Sequence, residues 1–154
     1  MFIDPSKLDS IQWEPTSFCN ANCLACPRTD PETLLTRPYI VATQRHASES
    51  ENSAFIKSAL DERLSSLKKI IYNGNIGDAM MHPTIDQIII AINKERPNVE
   101  QVIHTNGGGA WQEKLKNIGE YINGDRTKNI TFVFSIDGLE AVSYTHLTLP
   151  TSTH

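Results

Sequence analysis

The chain has 154 residues, a formal net charge of −4 and 39% hydrophobic residues. That length suggests one domain able to bury roughly 68–70% of the surface its unfolded chain exposes, and no apolar run is long enough to span a bilayer. The acidic balance and the lack of a Lys/Arg cluster argue against a nucleic-acid surface, which needs a basic patch.

In chain order, residues 11–15 form a short strand candidate that Pro15 ends. All three cysteines follow at once, in the run Cys19-Asn20-Ala21-Asn22-Cys23-Leu24-Ala25-Cys26. Residues 27–53 are polar and interrupted by Pro27, Pro31 and Pro38, a length of connection that is usually functional or disordered. Phe55, Ile56, Leu60, Leu64 and Leu67 then recur at helical spacing, with Asn52 or Ser53 as the expected cap.

Residues 69–72 read as a β-branched strand, and residues 73–78 as a glycine-punctuated turn. The clearest helix follows. Thr84 and Gln87 predict a capping box, Ile85, Ile88, Ile89 and Ile92 form one apolar face, and Pro97 marks a stop beyond it. Residues 99–104 predict a third strand, and Thr105-Asn106-Gly107 opens the loop after it. Trp111, Leu115, Ile118 and Ile122 predict another amphipathic helix, with Gly124 at its C-terminal cap. Residues 130–136 predict a fourth strand whose nearly unbroken apolar character suggests burial on both faces.

Strand and helix alternate, which implies an α/β fold with parallel strands and right-handed crossovers. Loops after successive strands then share one rim, where such folds place their ligands. The cysteine run and the loops at 73–78, 105–109 and 135–138 all fall there. Three thiolates on a tight loop can hold three irons of a cubane, leaving the fourth iron open, whereas an electron-transfer cluster normally takes four protein ligands. Two alternatives stand beside this: a non-enzymatic iron–sulfur electron carrier, for which no fourth cysteine exists, and a zinc-binding module completed by His46 or His82.

The Cys-x3-Cys-x2-Cys run after a first strand resembles the radical S-adenosylmethionine (radical SAM) superfamily. The wider stretch from Glu14 to Arg28 looks like the branch that often carries a SPASM or twitch domain. The resemblance implies the N-terminal part of a partial (β/α)6 barrel, about four βα units, with a [4Fe–4S] cluster and S-adenosylmethionine as cofactors. It implies cluster ligation by Cys19, Cys23 and Cys26, with Phe18 or Leu24 packing on the cluster or the adenine. Gly77 and Asp78 occupy the place of the family's Gly-Glu-Pro-type motif, which holds the methionine amino group, although Ala79 replaces the usual proline. Asn106, Ser135 and Asp137 match positions that line the cofactor pocket.

The implied chemistry is reductive cleavage of S-adenosylmethionine to a 5′-deoxyadenosyl radical that abstracts a hydrogen. A peptide or protein is the candidate substrate, and an electron donor such as flavodoxin or ferredoxin the expected partner. The N-terminus lacks the basic and apolar regions of a secretory signal, and three clustered thiols make no disulfide framework, so a cytoplasmic setting is expected. The resemblance stops near residue 140. Residues 1–140 read as a truncated core, and the threonine-rich residues 141–154 as an artefactual tail resembling a translated adapter.

Overall fold

The computed structural model describes residues 4–108, 111–125 and 127–135. Its frame is a four-stranded sheet in the order β1-β2-β3-β4, formed by Ser10–Trp13, Lys69–Tyr72, Glu100–Thr105 and Ile130–Phe134. Every neighbouring pair is parallel, with Ile11 opposite Ile70, Tyr72 opposite Ile103, and Ile103 opposite Phe132. Helices α1 (Pro38–Thr43) and α2 (Glu49–Ala59) lie between β1 and β2, α3 (Ile85–Glu95) between β2 and β3, and α4 (Gln112–Ile122) between β3 and β4. The expected α/β architecture of about four βα units is therefore present, a parallel sheet with flanking helices.

The parallel register decides which side chains share a face. Ile70, Tyr72 and Ile103 point to one face and join a core with Ile85, Ile88, Ile89, Ile92 and Ile118 of α3 and α4. Fully burying each such isoleucine stabilises by roughly 1.5–3 kcal/mol relative to exposure. Tyr72 and Gln101 carry polar groups into this core, and these are paired. The Tyr72 hydroxyl donates to Gln101 Oε1 (2.5 Å), and Gln101 Nε2 donates to the Ile89 carbonyl (2.9 Å). The opposite face carries Gln12, Ile71, Val102, His104 and Val133.

Three local expectations are corrected. Helix α2 begins earlier than predicted, because Ser48 accepts from the Glu51 N–H while the Glu51 carboxylate accepts from the Ser48 N–H. This reciprocal pair satisfies two orphan donors, so the helix starts here rather than at Asn52 or Ser53. It also ends at Ala59; Leu64 and Leu67 are buried from the turns that follow, not from a helical stripe. The capping box predicted for α3 does not form: Thr84 is the N-cap residue but its side chain makes no capping hydrogen bond.

Strand β4 is not buried on both faces. Val133 and Phe134 are 37% and 43% exposed. The cause is position: β4 ends the sheet order, with β3 on one side only among the described residues. α1, inside the long polar connection, was not anticipated; Pro38 opens it at a position where a missing N–H is harmless.

Candidate functional site

The parallel sheet sends the loops after β1, β2, β3 and β4 to one rim, and hydrogen bonds lock them together. The Asp78 N–H donates to the Phe18 carbonyl (2.8 Å), and the Ser135 N–H to the Thr105 carbonyl (2.8 Å). Glu14 Oε1 accepts from the Asn75 backbone and side-chain amides. Gly77 passes so close to the first loop that a Cβ there would overlap the Thr16 carbonyl oxygen. Glycine is thus required by close backbone approach.

At this rim lies a cavity of about 320 Å³. Cys19, Cys23, Cys26, Gly77, Asp78, Asn106 and Ser135 all line it. Residues 86 and 87 positions apart along the chain are thus brought together, Asn106 Nδ2 reaching Asn20 Oδ1 (3.0 Å) and Cys19 Sγ (3.4 Å). Asp137 and Gly138, like the expected boundary near residue 140 and the 141–154 tail, lie outside the described residues.

Asp78, buried at 6% exposure, is the hub of the site. One oxygen accepts from the Met80 N–H (2.9 Å) and caps a short 3-10 helix, Ala79–Met81; the other accepts from the Asn106 N–H (2.7 Å). The Thr105 hydroxyl lies 3.0 Å from both. Asn106 is held in turn, its Oδ1 accepting from the Gly108 N–H (2.6 Å). Phe18 and Leu24 do not line the cavity: Phe18 packs on His46 with ring centroids 4.5 Å apart, and Leu24 is exposed.

The cofactor expectation is overturned. Among the described residues, no group of three or more His, Cys, Asp and Glu side chains is arranged to hold a metal ion. The three cysteines border the cavity without forming a ligand set for a [4Fe–4S] cluster, and the S-adenosylmethionine chelation that depended on its open iron falls with it. Burial pushes the Cys19 thiol up, while the Ala21 N–H and Arg28 act the other way. Its sulfur accepts from the Ala21 N–H and Asn106 Nδ2. The zinc alternative meets the same finding. His46 and His82 sit beside each other, ring centroids 5.6 Å apart, and border a different cavity from the cysteines.

Sequence reasoning passed over two cavity residues. Arg28 closes the wider stretch from Glu14 without an assigned role, and Asn73 reads as a turn residue. Both carry a buried polar atom without a hydrogen-bond partner, Arg28 Nε and Asn73 Oδ1. Nothing in the local sequence signals this burial, because it is created by loops from different strands.

This fold and rim define a class: a parallel α/β sheet of partial-barrel type with a ligand-sized cavity at the carboxyl ends of its strands. The solved structure of BtrN in complex with AdoMet and 2-DOIA is similar to it, with a TM-score of 0.56 and 16% sequence identity. The match covers 86% of this chain and 59% of that one, so the chain spans about three-fifths of the structure it resembles. At that identity the likeness is one of fold. No protein-family model matches the chain, and no curated protein matches it. Among the described residues, no helix is long and apolar enough to cross a membrane.

Proposed function

We propose that the rim cavity is a binding site for AdoMet or a close adenosyl amino-acid relative, held by protein groups rather than by a metal. One observation carries this reading: four loops from successive parallel strands converge on a single cavity lined by Gly77, Asp78, Asn106 and Ser135. The AdoMet named with BtrN supports the choice of ligand. Asn106 and Ser135 bring polar residues to the cavity lining, and Gly77 lets the loop after β1 pack closely against it. A cavity with a few convergent polar groups is the usual form of a small-molecule site.

The reading is binding, not radical cleavage. Reductive cleavage needs a cluster, and the cysteines do not form its ligand set. The test is isothermal titration calorimetry of iron-depleted protein with AdoMet. Saturable one-to-one binding, competed by S-adenosylhomocysteine and weakened by Asn106→Ala, is expected. Absence of binding at millimolar AdoMet rejects the reading.

A further inference from the structure

Arg28 is among the most buried side chains of the protein, at 2% exposure, and it lines the rim cavity. Its guanidinium is held by backbone alone: Nη1 donates to the Ser17 carbonyl (3.4 Å) and to the Ile76 carbonyl (2.5 Å). The Nε–H has no acceptor, and no carboxylate among the described residues forms an ion pair with the group. A guanidinium stays charged in proteins, and a buried charge without a counter-charge is costly. Native proteins rarely keep such a group unless something pairs with it. The carbonyls take Nη1 and leave Nε without a partner, and a guanidinium with unused donors is suited to pair with an oxyanion through charge-assisted hydrogen bonds.

The carboxylate on the lining, that of Asp78, forms no ion pair with it and instead accepts from the Thr105 hydroxyl and the Met80 and Asn106 amides. Asn73 Oδ1, the second buried atom without a partner on this cavity, is a neutral acceptor. The opposite polarity of these two unpaired groups fits a molecule that brings both an anion and a hydrogen-bond donor.

We infer that Arg28 is the oxyanion anchor of the rim cavity, its guanidinium pairing with a carboxylate or phosphate of the molecule that fills it. This deepens the ligand-site reading above and rests on the cavity being a ligand site, but it does not require the ligand to be AdoMet.

The experiment follows the Arg28 Nε–H resonance by NMR and measures affinities by calorimetry for AdoMet, decarboxylated AdoMet and inorganic phosphate. For AdoMet, loss of the carboxylate is expected to weaken binding by about 10- to 150-fold, the worth of a hydrogen bond to a charged group. Arg28→Gln should remove that difference, and Arg28→Lys should restore part of it. The analogue comparison uses unaltered protein, so it stands even where the variants fail to fold. If AdoMet does not bind but phosphate shifts the Arg28 Nε–H saturably, the anchor is supported and the AdoMet reading fails. If AdoMet and its decarboxylated form bind equally, the anchor is overturned while the AdoMet site survives. If no probe moves the Arg28 resonance, the anchor is overturned outright.

Discussion

The Thr105 hydroxyl sits 3.0 Å from each carboxylate oxygen of Asp78, tying the end of β3 to the loop after β2. The same carboxylate accepts from the Met80 and Asn106 amides. Asp78 therefore bonds to the loops after two strands. Replacing it by alanine leaves buried donors unpaired, at about 1–3 kcal/mol each. A clear fall in the urea midpoint is expected for Asp78→Ala, and a smaller one for Asp78→Asn, which keeps one acceptor oxygen. An unchanged midpoint for Asp78→Ala would remove Asp78 from this role.

Two glycines should respond in opposite directions. Gly77→Ala puts a Cβ onto the Thr16 backbone carbonyl, which a side-chain adjustment cannot relieve. A loss of about 1–3 kcal/mol is expected, as for other overpacked sites. Gly119 lies inside α4 with nothing within 4 Å of an added Cβ. Gly119→Ala should stabilise by about 0.5–1 kcal/mol, because alanine is the better helix former. Thermal melts of the two variants check both signs; equal effects would contradict the close approach at Gly77.

Tyr72 and Gln101 form a buried donor–acceptor pair on the helix-facing side of the sheet. Tyr72→Phe strands Gln101 Oε1, and a cost of about 1–3 kcal/mol is expected. Removing both polar partners, in Tyr72→Phe with Gln101→Leu, should cost less than the sum of the two single changes. Denaturant unfolding of the four members of the cycle measures this. Strict additivity would mean the pair is not coupled.

His46 and His82 predict an acid-sensitive fold. Burial lowers both imidazoles below the ordinary value of 6.5, aided at His82 by His46 and Lys114 and opposed there by the Ala47 carbonyl, and aided at His46 by Lys114. The unfolded chain therefore takes up protons at higher pH than the folded one. The stability contributed by the neutral rings is present above 6.5 and is lost as pH falls through the folded values. Protonation of His82 would also deprive the Thr84 N–H of its acceptor, Nδ1 (3.3 Å). Urea midpoints taken between about pH 7.5 and 5 should decline, and His46→Phe should flatten the decline. A pH-independent midpoint would show that these rings titrate alike in both states.

The elements legible in the chain were those whose signal is local. Lys69–Tyr72 matches its predicted bounds, and the isoleucine stripe of α3 is buried as its spacing required, because periodicity records which side a core lies on. The missed Ser48–Glu51 capping box was also local; it was obscured by the more conspicuous apolar series that begins at Phe55. The exposure of Val133 and Phe134 had no local signal, since it depends on β4 ending the sheet order.

By itself, the sequence determined the alternation of strand and helix, and with it the convergence of the loops after β1 to β4 on one rim, because parallel strands leave no other side for them. Only the tertiary structure decided what that rim holds. Three closely spaced cysteines declare thiols, not their mutual geometry or ionisation, which follow from burial and from neighbours as distant as Asn106. Likewise an arginine beside a cysteine run becomes an unpaired buried cation only when the Ser17 and Ile76 carbonyls close over it. Solvent exclusion is a property of the assembled loops, and no single segment encodes it.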